Sequence, residues 1–119
     1  MKIFITGSRG FIGSNLVERL KQKCEITSFD LKDGFDLSNY EELTKQMKGS
    51  EIVIHLAAIP WPDETKTFKD YFKNNCTATL NVAEAALANK VRRMVYVSST
   101  TYYGVERGIP FIKPINESN

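Results

Sequence analysis

A glycine-punctuated turn between an apolar run and an amphipathic pattern restricts this chain more than any other stretch. Ile3-Phe4-Ile5 reads as a strand, Leu16, Val17 and Leu20 as the inner face of a helix, and Thr6-Gly7-Ser8-Arg9-Gly10-Phe11-Ile12-Gly13 joins them. Each glycine has its own reason to be there. Gly7 lets the chain leave the strand in a tight turn, Gly10 lets a backbone approach a diphosphate, and Gly13 lets the helix pack closely on the strand. The helix N-terminus then offers unpaired N–H groups and the positive end of a macrodipole, both suited to an anion. The spacing is G-x-x-G-x-x-G, one residue longer between the first two glycines than the commonest dinucleotide pattern.

The next strand, Cys24 to Asp30, ends in a carboxylate 17 positions after Gly13. An acid at about that separation grips an adenosine ribose, each charge-assisted hydrogen bond contributing roughly 1.5–3 kcal/mol. Aspartate is also common in turns, so the position after a glycine loop decides for ribose binding.

The rest of the chain alternates helix and strand. Helices are expected from about Phe11 to Lys23, Tyr40 to Lys48 and Thr67 to Asn89, and strands at Glu25–Phe29, Ile52–His55 and Arg93–Ser98. Phe68, Phe72, Leu80, Val82, Ala83, Ala86 and Leu87 give the long helix one broad apolar stripe. Strands apolar on both faces belong to a parallel sheet covered by helices on both sides. The expectation is an α/β, Rossmann-type doubly wound parallel sheet in the order 3-2-1-4, truncated after strand 4. Such a truncation leaves an apolar edge at Met94–Val97. Residues 1–119 form one NAD(P)-binding domain on this reading, without the later strands or a substrate domain.

Composition narrows the classes further. With 16 Lys and Arg against 14 Asp and Glu, a net charge of +2 gives no electrostatic reason to propose nucleic acid or a membrane surface as partner. Cys24 and Cys76 are two well-separated thiols rather than a disulfide framework. No apolar run reaches the length of a signal or membrane-spanning segment, which makes a cytoplasmic address the expectation. No metal site is expected.

Taken together, the Thr6–Gly13 turn, Asp30, Asp36-Leu37, His55-Leu56-Ala57-Ala58, Asn74-Asn75, and Ser98-Ser99 before Tyr103-Gly104 form an ordered set. On these pieces the chain resembles, over its whole length, the N-terminal part of the extended short-chain dehydrogenase/reductases, the NAD-dependent epimerases and dehydratases that act on nucleotide sugars. The resemblance implies cofactor contacts at Gly7, Arg9, Gly10, Phe11, Ile12, Gly13, Asp30, Asp36, Leu37, Leu56, Ala57, Ala58 and Asn75. It puts Asp36 by the adenine amino group and Leu56, Ala57 and Ala58 along the ribose and nicotinamide side. A second reading stands beside each: Asp36 can cap the following helix, Leu56-Ala57-Ala58 can be small for packing, and Asn75 can face solvent. His55 reads as a packing residue at a strand end, and Trp61 in the next loop as a local anchor or a neighbour of the nicotinamide pocket.

Ser99 aligns with the family's catalytic Ser or Thr. The family's acid/base pair, Tyr-x-x-x-Lys, has no counterpart, because Tyr103-Arg107 lies in a loop and an arginine stays protonated. The chain alone is therefore expected not to turn over. Thr100 and Thr101 stand where dehydratases carry an acidic pair, which favours an epimerase or reductase over a dehydratase for a completed protein. Asp30 favours NAD by repelling a 2′-phosphate, while Arg9 and Lys32 argue for NADP, leaving NAD as the preferred cofactor. A nucleotide sugar is the implied substrate if the chain is completed, and a homodimer through the long helix is the implied assembly. The alternative is a stand-alone dinucleotide-binding or regulatory module without catalysis, which would need a polar or covered edge beyond strand 4.

Overall fold

The computed structural model describes residues 1–60 and 62–99; Trp61, Thr100, Thr101, Tyr103-Gly104 and Arg107 lie outside them. Four strands, β1 (Lys2–Thr6), β2 (Glu25–Phe29), β3 (Ile52–His55) and β4 (Arg93–Tyr96), form one parallel sheet. The helices between them are α1 (Phe11–Leu20), α2 (Tyr40–Gln46) and a long element made of α3 (Phe68–Tyr71), a π-helical segment (Phe72–Thr77) and α4 (Ala78–Ala88).

The α/β doubly wound class is as expected, but the strand order is β2-β1-β3-β4 rather than 3-2-1-4. The correction has a local cause. After β2 the chain forms a 3-10 turn at Leu31–Asp33 and a loop, and among the described residues no strand pairs on the far side of β2. Helix α2 instead carries the chain back across β1, and β3 pairs on its far side with Ile3 opposite Ile52 and Thr6 opposite His55. The chain thus leaves β1 in both directions, which makes the carboxyl ends of β1 and β3 the topological switch point of the sheet. Phe29, Thr6, His55 and Tyr96 stand in one row across that end.

Alternation along β1 divides its side chains between two layers. Phe4 joins Phe29, Leu43, Met47, Val53, Val82, Ala85 and Ala86 in a core under α2 and α4. Ile3 and Ile5, also buried, point to the opposite face, where a right-handed crossover puts α1. Each fully buried side chain of this size stabilises the fold by roughly 1.5–3 kcal/mol.

The long helix departs from the single stripe expected of it. Val82 and Ala86 are buried, whereas Phe68, Phe72, Leu80 and Leu87 are exposed. Within α4 the split follows ordinary helical periodicity, with Val82 and Ala86 one turn apart on the inner face and Leu80 and Leu87 two turns apart on the outer one, while the π-helical segment shifts the phase of α3 relative to α4. The start of the long element is fixed by a capping box in which Thr67 and Asp70 exchange hydrogen bonds between side chain and backbone. Val95, Tyr96 and Val97 are also exposed, and among the described residues β4 has no strand beyond it. Among the described residues that apolar edge is uncovered.

Candidate functional site

A cleft of about 390 Å³ opens at the carboxyl end of the sheet. One wall is the glycine turn after β1. Gly7 has φ +67°, and a Cβ on it would lie 2.7 Å from the Ala57 nitrogen. A Cβ on Gly13 would lie 2.1 Å from the Gly7 carbonyl oxygen, so α1 reaches the turn only because that carbon is missing. Gly10 closes the turn, its N–H donating to the Gly7 carbonyl at 3.1 Å.

The amino end of α1 is left open. Gly10 provides no side-chain cap, and the first turn holds no acidic residue. The first intrahelical bond runs from the Ser14 N–H to the Gly10 carbonyl at 2.9 Å. The N–H groups of Phe11, Ile12 and Gly13 precede it and have no intrahelical acceptor. Three donors at the positive end of a ten-residue helix make a seat for an anion. The side chains of Phe11 and Ile12 are themselves in solvent.

Asp30, the residue after β2, faces this turn. Its two carboxylate oxygens accept one backbone N–H each, from Arg9 at 2.9 Å and from Lys32 at 2.9 Å. That grip orients the carboxylate and leaves each oxygen further lone pairs for a ligand's hydroxyls. The Arg9 side chain turns toward Asp33, with Nε 3.8 Å from Oδ1.

Beyond Asp30 the floor is aromatic. Phe29 lies against Phe35 with ring centroids 5.0 Å apart and an interplanar angle of 29°, and both line the cleft with Asp36, Leu37 and Ser38. Asp36 accepts the Ser38 N–H at 2.8 Å. That bond first, then the Ser38 hydroxyl and Lys73, hold its carboxyl below the usual carboxylate range against a small burial effect. Asp36 does not cap α2; Asn39 does, accepting the Glu42 N–H at 3.1 Å.

The opposite wall is Leu56-Ala57-Ala58-Ile59, with Lys73, Asn74, Thr77, Ala78 and Asn81 from the long helix. Asn75 stands behind this wall. Its amide oxygen accepts the Ile59 N–H at 2.7 Å and its nitrogen donates to the Ile59 carbonyl at 3.0 Å, so both ends are occupied in holding the loop. Asn81 donates to the Leu37 carbonyl at 2.9 Å and ties the helix to the far side. His55 is buried beneath, its Nδ1 2.6 Å from the Thr6 hydroxyl and its Nε2 2.9 Å from the Thr79 hydroxyl. Burial pushes the imidazole down to about 4.

Of the residues singled out in the sequence, Gly7, Gly10, Asp30, Asp36, Leu37, Leu56, Ala57 and Ala58 line the cleft together. Arg9 reaches it through its N–H, Gly13 supports it from below, and Ser99, exposed three positions after β4, is not part of its lining. Phe35, Ser38, Lys73, Thr77 and Asn81 also line it and belong to no motif in the sequence. Lys73, Thr77 and Asn81 recur at intervals of four on one helix face, a spacing that becomes informative only once the π-helical segment fixes which face is inward.

A parallel sheet with a glycine turn, an uncapped helix and an acid at the end of its second strand defines a Rossmann-type nucleotide-binding fold. This chain belongs to the NAD dependent epimerase/dehydratase family, whose pattern matches residues 3–119. It is 32% identical over 105 residues to an L-arabinose 1-dehydrogenase (NAD(P)(+)) from Haloferax volcanii, covering 82% of this chain and 41% of that enzyme. It is 28% identical over 141 residues to a UDP-glucose 4-epimerase from Pisum sativum, covering 94% and 40%. Among solved structures, MoeE5 in complex with UDP-glucose and NAD superposes with a TM-score of 0.79 at 32% identity, covering 92% of this chain and 40% of that one. The chain thus spans about two fifths of the length of these relatives. NAD, the cofactor preferred from Asp30, is the cofactor in the family's description and in that complex.

Proposed function

We propose that residues 1–119 are the NAD-binding domain of a nucleotide-sugar epimerase or related oxidoreductase, with the dinucleotide lying across the cleft from the aromatic floor to the Leu56–Ile59 wall. The observation that carries this reading is the open amino end of α1 beside the Asp30 carboxylate, which is fixed by two N–H donors. The cradle fits a dinucleotide, since Gly7 and Gly10 line it without side chains and leave the open end of α1 accessible beside Asp30. The N–H groups of Phe11, Ile12 and Gly13 take the diphosphate, and Asp30 accepts from the adenosine ribose hydroxyls. Asp36 and Leu37, over Phe29 and Phe35, hold the adenine, while Leu56, Ala57 and Ala58 hold the ribose and nicotinamide side.

When bound, the nicotinamide supplies hydride transfer. In this chain the groups for the accompanying proton are incomplete: Ser99 can hydrogen-bond a substrate oxygen, but no Tyr-x-x-x-Lys pair occurs in the sequence. The chain alone binds without turnover, and a nucleotide sugar is substrate only for a completed protein, an epimerase or reductase by the absence of acids at Thr100 and Thr101. A cytoplasmic protein and a homodimer through the exposed face of Phe68, Phe72, Leu80 and Leu87 belong to the same reading.

Fluorescence titration with NADH and NADPH tests it. NADH binds more tightly than NADPH, because a 2′-phosphate would meet Asp30. Equal or tighter binding of NADPH removes the NAD preference, and absence of binding by both removes the function. Weak or no dinucleotide binding with a well-folded chain would favour neither an enzyme domain nor the stand-alone binding module.

A further inference from the structure

His55 reads from sequence as a packing residue, yet its ring joins three segments that line the cleft. The hydrogen positions are set by the donors around it. The Thr6 hydroxyl oxygen accepts the Ala57 N–H at 3.2 Å and shares the Leu56 N–H, also 3.2 Å away, with the Thr6 main-chain carbonyl, so both neighbours donate to it. Its one hydrogen is then directed to the remaining neighbour, His55 Nδ1 at 2.6 Å. An accepting Nδ1 leaves the ring proton on Nε2, which donates to the Thr79 hydroxyl at 2.9 Å. Thr79 in turn donates to the Asn75 carbonyl at 2.7 Å, and the Asn75 side chain holds both backbone groups of Ile59. Every polar atom of Thr6, His55 and Thr79 has a partner in this arrangement, and the other neutral tautomer would set two hydrogens against each other at Thr6.

The network bears on the cleft because its tolerance is small. Gly7 follows Thr6, and the space beside its Cα is filled by Ala57, whose nitrogen lies 2.7 Å from where a Cβ would sit. The bonds from Leu56 and Ala57 to Thr6 therefore set the distance between the glycine turn and the opposite wall. Tyr96 from β4 covers the ring, with centroids 5.7 Å apart. We propose that His55 is a positioning residue for the dinucleotide: its Nε2–H tautomer fixes Thr6 on one side and Thr79 on the other, and so sets the two walls of the cleft against each other. This rests on the dinucleotide reading of the cleft.

His55 is the single histidine of the chain, so its ring nitrogens give one pair of NMR signals that need no assignment by mutation. At neutral pH a long-range proton–nitrogen correlation on the full chain shows Nδ1 bare and Nε2 protonated. Addition of NAD shifts the Nε2 signal along a curve whose midpoint equals the dissociation constant measured by calorimetry. Thr6→Val weakens NAD binding at least fivefold and Thr6→Ser restores it to within twofold; Thr79→Val and Thr79→Ser behave likewise. Melting temperatures taken on the same samples separate folding from positioning, since a merely structural role lowers them while leaving NAD affinity of the folded chain unmoved. That last outcome, a bare Nε2, or ring signals indifferent to NAD, overturns the inference while the dinucleotide reading stands. Absence of NAD binding by the unaltered chain removes both.

Discussion

The two walls of the cleft are built by different physics. The glycine turn is held by the absence of atoms, for Gly13 permits a contact that any side chain would block. The Leu56–Ile59 wall is held by polar side chains behind it, Thr6, His55, Thr79 and Asn75, each with its hydrogen bonds satisfied. Steric walls fail abruptly when an atom is added. Polar walls weaken by degrees as donors or acceptors are removed or as a ring gains a proton.

The largest effect is expected at the steric wall. Gly13→Ala puts a carbon against the Gly7 carbonyl and must displace α1, lowering stability by roughly 3 kcal/mol or more, measured by urea unfolding. A loss below about 1 kcal/mol would erase the distinction between the walls.

Acid tests the polar wall next. Burial lowers His55 from 6.5 to about 4 in the folded chain. The unfolded chain therefore takes up the proton first as pH falls. Stability is complete above pH 6.5 and is lost between 6.5 and about 4, by roughly 3 kcal/mol in all. Asp36, Asp63 and Asp70, held low chiefly by hydrogen bonds from Ser38, Thr65 and Thr67, lose their contribution only as pH falls below 3.8. Urea midpoints at successive pH values check this, and a flat profile between 6.5 and 4.5 would contradict a buried neutral imidazole.

Asn75→Ala removes two bonds to Ile59 and should cost about 2 kcal/mol of stability, with a weakening of NADH binding that the same urea and fluorescence measurements resolve. The smallest change in free energy is at Asp30, where replacement by Ala should weaken NADH binding about tenfold, about 1.4 kcal/mol, with little change in unfolding midpoint. A large drop in stability at Asp30 would mean that its bonds to Arg9 and Lys32 hold the fold rather than a ligand.

This contrast also explains what could be read from the chain. Glycines leave a mark because their spacing is dictated by backbone geometry, and Gly7, Gly10, Gly13 and Asp30 stand out in the sequence alone. The polar wall leaves no such mark. Thr6, His55 and Thr79 are separated by 49 and 24 residues, and only the register that sets Thr6 opposite His55 brings them together. The strand order is hidden for a related reason: Ile52–His55 reads as a strand, but which side of the sheet it joins is set by the crossover through α2, and only the pairing of Ile3 with Ile52 puts it beside β1. The faces of the long helix are hard to separate in the sequence because Leu80 and Leu87 on the outer face of α4 are as apolar as Val82 and Ala86 on the inner one, and the uneven winding at Phe72–Thr77 breaks the period before α4 begins.

That unevenly wound segment has a consequence for the history of the chain. A π-helical turn is what one inserted residue leaves in an otherwise regular α-helix. Removing a residue from Phe72–Thr77 would swing Phe68 and the capping box at Thr67 by about 100° relative to α4. The hold of Asn75 on Ile59 and the outward display of Phe68 and Phe72 therefore depend on a single codon's worth of length, and a lineage that lost it would have to rebuild the wall and the outer face together.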